Sequence, residues 1–266
     1  MINTLKLLAV VSLLNIMALS SCTQQEKVDV TYVGNAGFLV KIGDKKILID
    51  ALFKGFEGDY EISQEIQEKL TLAEAPFDNV DLILVTHAHG DHVDPAMVSE
   101  HMKNNPRAIF ASTQQLVDYL KDSTNRSIGF NPTKAISDKK EIRGIHVESF
   151  LLPHGPDSRI INIGFLVTVR GITFFQTGDA DLEQFTFEEF RSLHLHERKI
   201  DLAFVQHYFL RGDTIENKFI REGIAAKYIF PIHYHFTTPK FEAAIVKQNH
   251  PDAIIFEEEL QTWEMP

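Results

Sequence analysis

The chain of 266 residues has one cysteine, Cys22, so no intramolecular disulfide can form and a small disulfide scaffold is excluded. It also lacks any cluster of basic residues. Lys and Arg number 26 against 37 Asp and Glu, a formal net charge of −11, and non-specific nucleic-acid binding depends on clustered cations that neutralise phosphates. No nucleic-acid partner is therefore expected. Repeats, low-complexity tracts and Pro/Gly/Ser-rich linkers are absent too, which makes a single domain the simplest organisation. What is present is ordinary for a globular protein: 44% hydrophobic and 24% charged residues. That length can bury a sizeable core without staples.

The first 27 residues have a logic of their own. Lys6 precedes an almost wholly apolar run, Leu7 to Leu19, which ends in Ser20 and Ser21; this is the three-part pattern of a secretory signal. The run is too short to span a membrane comfortably, and no second candidate span follows. Cys22 directly after Leu-Ser-Ser resembles the bacterial lipobox. The expectation is a lipoprotein signal over 1–21, a lipidated Cys22 with a polar tether over 22–27, and a folded domain over 28–266. Such a protein would be exported and held at the cell envelope through a lipid anchor, on its periplasmic or surface side.

Within that domain, short β-rich runs come early, at Val28–Val33, Phe38–Ile42 and Lys46–Ile49, parted by Gly34 and by Gly43-Asp44. Strands and helices then alternate. Helices are expected at 62–72, 95–103 and 113–120, with strands at 82–86 and 108–111. Strands return at 146–152, 161–169 and 172–175. A helix over 182–194, a strand over 202–206, a helix over 215–223, a strand over 228–231 and a helix over 239–248 complete the chain. Mixed sheets covered by helices would satisfy that order.

The chemistry concentrates where one apolar strand stops. After Asp81-Leu-Ile-Leu-Val85 the chain reads Thr86-His87-Ala88-His89-Gly90-Asp91-His92, three imidazoles and a carboxylate within six positions. The strand period places His87 and His89 on one face. Gly90 permits a sharp turn that swings Asp91 and His92 round, so that the two pairs could serve two metal ions. Imidazole and carboxylate suit zinc, and also iron or manganese. Four residues cannot close a two-metal site, and three further donors stand at strand ends: His154 in Pro153-His154-Gly155, Asp179 after Gln176-Thr177-Gly178, and His233 after Tyr228 to Ile232. Alone, each would read as a hydrogen-bonded residue or a turn former. Beside the cluster, each reads as a ligand.

These residues, with the opening strands, the TGDA run ending at Ala180 and the order in which they come, make the sequence similar to the metallo-β-lactamase superfamily. The resemblance implies an α/β architecture of αββα layers, with the metal site at one edge between the sheets. It implies that His87, His89 and His154 bind one metal, that Asp91, His92 and His233 bind the other, and that Asp179 bridges them. Cys22 is the only cysteine, so the lactamases with a cysteine ligand are excluded. Asp179 sets the chain apart from the subclass with an all-histidine site. Only 54 positions separate Asp179 from His233, which leaves no room for the inserted domain of the RNA-cleaving members. With 33 residues after His233, the helical tail of glyoxalase II is not expected. Thr31 to Phe38, Ile47 to Asp50 and Pro231 to His235 are most similar to the branch containing L-ascorbate-6-phosphate lactonase and N-acyl-phosphatidylethanolamine phospholipase D. Asn35 stands where that branch commonly has histidine, so its substrate class is not inherited.

The expected activity is hydrolysis of an ester, lactone or phosphodiester bond in a small molecule by a metal-bound hydroxide. Two divalent ions are the expected cofactor, with zinc first. Asp91 would orient the nucleophile as well as ligate. His207 and His235 are the candidates to give the leaving group its proton, whereas Tyr234, near the same strand end, reads as packing. A non-catalytic metal-binding lipoprotein and a β-lactamase are the alternatives. Oligomeric state, metal identity and substrate are not encoded in these spacings.

Overall fold

The structure is a computed structural model that describes residues 26–56, 58–121, 125–155, 159–212 and 214–266. The leader, Cys22 and most of the tether lie outside the described residues.

Alternation along the strands dictates the layers. In β1 (Val28–Gly34), β2 (Gly37–Ile42) and β3 (Lys45–Ile49), Val28, Val30, Phe38, Val40, Ile47 and Ile49 face one core, while Val33, Leu39 and Leu48 face another. β4 (Leu82–Leu84) continues the pattern, with Leu82 and Leu84 on the first side and Ile83 on the second. A strand whose two faces are both apolar is covered twice. β5 (Ile109–Thr113) and β6 (Ser127–Phe130) extend the sheet in parallel, and the three-residue β13 (Thr262–Glu264) pairs antiparallel with β1 at its far edge. The sheet order is β13-β1-β2-β3-β4-β5-β6.

The second sheet is built the same way. It comprises β7 (Asp138–Ile142), β8 (Ile145–Leu151), β9 (Ile163–Val169), β10 (Ile172–Gln176), β11 (Leu202–Gln206) and β12 (Tyr228–Ile232). They lie in the order β12-β11-β10-β9-β8-β7, and β10, β11 and β12 run parallel. Phe165, Val167, Phe174, Leu202, Phe204 and Phe230 meet the first sheet in the shared core. Leu166, Phe175, Ala203 and Val205 point the other way. Helices α1 (Gln64–Leu72), α2 (Pro95–Asn104) and α3 (Gln114–Leu120) cover the outer face of the first sheet. Helices α4 (Phe187–Arg191), α5 (Thr214–Lys218) and α6 (Pro239–Asn249), with a π-helical turn over Phe219–Ile224, lie on the second sheet's side. The result is the single-domain αββα sandwich that the resemblance implied.

Several elements depart from the sequence reading. The helix expected over 182–194 is interrupted, because Phe185 is extended and Thr186 starts a new helix through a capping box with Glu189. The helix expected over 215–223 widens at its end into the π turn, where Gly223 leaves no room for a side chain against the Phe190 ring. β6, β7 and β13 were not anticipated. β7, Asp-Lys-Lys-Glu-Ile, is an edge strand whose charges suit a solvent-facing rim. β4 stops at Leu84, two residues early. No helix among the described residues is long and apolar enough to cross a membrane.

Candidate metal centre

The C-terminal ends of the parallel strands converge on one edge of the sandwich, and the loops that leave them carry the polar residues. Because β4 ends at Leu84, His87 and His89 are placed by a turn rather than by strand alternation. That turn is fixed from below by Asp50, fully buried at the end of β3 with φ 46°. Asp50 accepts from Thr86 N and Thr86 Oγ1, both at 2.8 Å, and from Gln176 Nε2 at 3.1 Å. Since the Thr86 hydroxyl proton goes to Asp50, its oxygen is free to accept from His87 Nδ1, 3.1 Å away. This leaves His87 Nε2 with its lone pair turned toward the centre. Asp50 Oδ2 also faces His92 Nδ1 at 3.2 Å. One buried carboxylate thus sets two imidazoles. The sequence reading noticed Asp50 only as a strand end.

Gly90 sits in the sharp turn expected there, where His89 O accepts from His92 N and from Val93 N, both at 3.0 Å. Its φ is not in the left-handed region, and its role is space: a Cβ would meet the Phe56 ring at 3.2 Å. Gly178 is the conformationally demanding glycine, with φ 54° and Asn162 Oδ1 only 2.3 Å from where a Cβ would sit. That Asn162 oxygen accepts from Asp179 N at 3.2 Å, and its amide donates to Leu152 O and Thr177 O, tying the Asp179 and His154 loops together. Asn35, φ 48°, donates to Asp91 Oδ2 at 3.1 Å and to Asp91 O at 3.2 Å. It is both a turn residue and a holder of Asp91.

The seven expected ligands form two groups. His87, His89, His154 and Asp179 offer one atom each within 4.8 Å of one another, and so do Asp91, His92, Asp179 and His233. In the first, His89 Nδ1 lies 3.1 Å from both His87 Nε2 and His154 Nε2. Nitrogens bound tetrahedrally at about 2.0–2.1 Å stand roughly 3.3 Å apart, so this spacing suits a metal ion. In the second, His233 Nε2 is 2.9 Å from Asp91 Oδ2 and 3.1 Å from Asp179 Oδ2, while His92 Nε2 is 3.2 Å from Asp179 Oδ1. His92 Nε2 is buried without a hydrogen bond. Buried polar atoms left in that state call for a partner such as a cation. The donor set fits the metal that the fold implies.

The protein's own charges are strongly coupled there. Burial pushes His87 well below the ordinary imidazole range, reinforced by His92. Burial also opposes the charge on Asp179, yet His233, His92 and His87 overcome it and hold that carboxylate well below its ordinary value. His233 goes the other way, up to about 9: burial disfavours its charge, but Asp179 and Asp91 outweigh it. Asp179 additionally accepts a short hydrogen bond from Gln206 Nε2.

Beside Asp179, His154 and His233 opens a cavity of about 330 Å³, whose other wall includes Gln206, His207, Arg211 and Glu242. Glu242, buried on α6, accepts from His235 N at 2.6 Å and pairs with Arg211 and with His207 Nε2, the latter at 3.1 Å. Burial pushes His207 below its ordinary value, so it is neutral at pH 7. His235 is exposed at the cavity mouth, its ring accepting from or donating to Thr237 Oγ1 at 2.8 Å. Tyr234 packs its ring 5.2 Å from that of His207. Arg211 and Glu242 were missed in the sequence because their partners are 31 positions apart and no local pattern links them.

Residues 29–196 match the beta-lactamase superfamily domain. The chain belongs to the metallo-β-lactamase superfamily. Relatives include a metal-dependent hydrolase of Pyrococcus furiosus, 27% identical over 216 residues that cover 80% of this chain and 87% of the relative. One from Pelotomaculum thermopropionicum is 29% identical over 228 residues, covering 80% and 86%. Among solved structures, the metallo hydrolase Igni18 of Ignicoccus hospitalis superposes with a TM-score of 0.65 at 19% identity, over 90% of this chain and 99% of that one. Family, fold and donor set together make the protein a metal-dependent hydrolase of the metallo-β-lactamase fold.

Proposed function

We propose that the protein hydrolyses an ester, lactone or phosphodiester bond of a small molecule at a dinuclear centre. His87, His89 and His154 would hold one ion, Asp91, His92 and His233 the other, and Asp179 both. The observation that carries this reading is the membership of Asp179 in both donor groups, with Oδ2 3.7 Å from His87 Nε2 and 3.1 Å from His233 Nε2. Two divalent ions, zinc first among them, would supply when bound an activated water nucleophile at neutral pH and a Lewis acid for developing negative charge.

The chain's own residues do the rest. Asp50 presents His87 and His92 in one tautomer each, which spares reorganisation when the donors engage. Asp91 stays ionised at neutral pH: burial opposes its charge, but the hydrogen bond from His233 lowers its pKa overall. Asn35 holds that carboxylate in place, so Asp91 can orient a water as well as serve as a donor. The cavity admits a small substrate against Asp179 and His233. His207 and His235 line the same cavity; His207 Nε2 is engaged by Arg211 and Glu242, which leaves His235 at the mouth as the freer group to hydrogen-bond a leaving group.

The test is metal content of the purified protein beside Asp91→Ala and His233→Ala, with a generic phosphodiester, a lactone and a β-lactam offered in parallel. Two metal equivalents that fall in both variants, together with one of the three activities, are expected. Protein prepared without chelator that holds no metal would sink the assignment. Turnover of the β-lactam alone would select the lactamase alternative, and retained metal with no turnover the non-catalytic one. As a separate proposal from the sequence, the domain is tethered to the envelope by lipid on Cys22. Incorporation of labelled palmitate that disappears in Cys22→Ala is the expected outcome.

A further inference from the structure

Two large apolar rings near the centre escape burial. Phe56 is 43% exposed and Phe236 42%, although folding ordinarily buries such rings. The Phe56 ring fills the space beside Gly90, but neither ring belongs to any of the three packed cores, so core packing gives no reason for their exposed area. Their placement does. Phe56 sits in the loop after β3, clamped by paired backbone bonds with Asp59 at 2.8 Å each, and its ring lies 6.1 Å from that of His89. On the other side, Tyr60 lies 4.8 Å from the His233 ring and 5.4 Å from Phe236, which stacks on His235 at 4.6 Å. The rings therefore flank both donor groups, Phe56 beside the first and Tyr60 with Phe236 beside the second. Tyr60 also lines the cavity, carrying the apolar rim inward toward Asp179. The opposite wall, His207, Arg211 and Glu242, is polar and already internally paired. An exposed aromatic patch next to a reactive centre marks a place where a ligand completes the burial.

We propose that this rim makes the enzyme selective for substrates bearing an apolar alkyl or aryl group next to the bond hydrolysed, with Phe56, Tyr60 and Phe236 covering that group. The inference rests on the hydrolase reading of the centre, and its test separates the two. Methyl-, butyl- and octylphosphonate share one anionic head for the metal centre and differ only in apolar length. Calorimetry on the zinc-loaded protein should show affinity rising about two- to fourfold per methylene, the upper figure corresponding to complete burial. In the Phe56→Ser/Phe236→Ser double variant the series should flatten, while methylphosphonate affinity stays within about twofold. Zinc stoichiometry equal to wild type confirms that the variant folds, and Phe236→Ser alone, expected to lose part of the slope, serves if the double variant does not. Binding of all three phosphonates with equal affinity overturns the rim proposal and leaves the metal centre standing, as does a slope unchanged in the variants. Failure of every phosphonate to bind overturns both.

Discussion

Asp50 shows how much of the centre depends on residues that would touch no metal. Its carboxylate reaches His92 directly and His87 through Thr86, so a single neutralisation acts on both donor groups. Asp50→Asn should lower metal affinity about 10- to 100-fold while the fold persists, because asparagine tolerates the left-handed backbone but brings an amide N–H where two donors already point. Competition against a chromophoric chelator reads this directly, and an affinity equal to wild type would assign the orienting role elsewhere. Gly178 is the second such residue. Gly178→Ala forces a Cβ onto Asn162 and strains the backbone, so about 1–3 kcal/mol of stability should be lost, seen as a lower denaturation midpoint. Metal affinity should fall with it, since Asn162 no longer holds Asp179.

At the scale of elements, α1 and α2 are joined by a buried histidine rather than by apolar contact alone. His101 Nδ1 donates to Leu70 O at 2.6 Å, in the last turn of α1. Burial pushes the His101 pKa below its ordinary value of 6.5, against the opposing hydrogen bond. A histidine depressed in the folded state binds fewer protons there than in the unfolded chain. Its stabilising contribution is therefore complete above the unfolded value near 6.5 and is lost as pH falls below it toward the folded value. His101→Leu should cost about 0.5–1.5 kcal/mol at pH 7.5 by removing that hydrogen bond, leaving Leu70 O with only the longer one from Ala73 N at 3.3 Å. The same variant should lose less stability than wild type between pH 6.5 and 5, measured by urea denaturation at each pH. Equal slopes would show that His101 titrates normally.

For the whole molecule, the centre is a seam. His87, His89, Asp91 and His92 follow β4 of the first sheet, while His154, Asp179 and His233 follow strands of the second. A metal ion held by donors from both sheets would stabilise the folded state over the unfolded one, by about 2.7 kcal/mol when free metal is a hundred times its Kd. Chelation should therefore lower Tm, and zinc should restore it. A Tm indifferent to chelator would mean that the sheets hold together without help from the seam. The same arrangement puts the site at an edge where loops from both sheets meet, which is why Phe56 and Phe236, 180 positions apart, flank one opening.

The sequence alone determined the chemistry of the centre and most of the frame. His87, His89, Asp91 and His92 are legible because they are dense and local. Alternating apolar strands and capped helices are legible because their periods are short. His154, Asp179 and His233 could be picked out singly as strand-end residues once the cluster set the expectation. The tertiary structure decided the rest. The links of Asp50 to His92, of Asn35 to Asp91 and of Glu242 to Arg211 join residues dozens of positions apart, and nothing in the local pattern of either partner records the other. The strands β7 and β13 were equally hidden, one for its charge and one for its brevity, because an edge strand is defined by its neighbour's unpaired backbone rather than by its own side chains. Local periodicity selects the elements, whereas hydrogen bonds and burial between distant segments select which ends meet, and the site exists only where they meet.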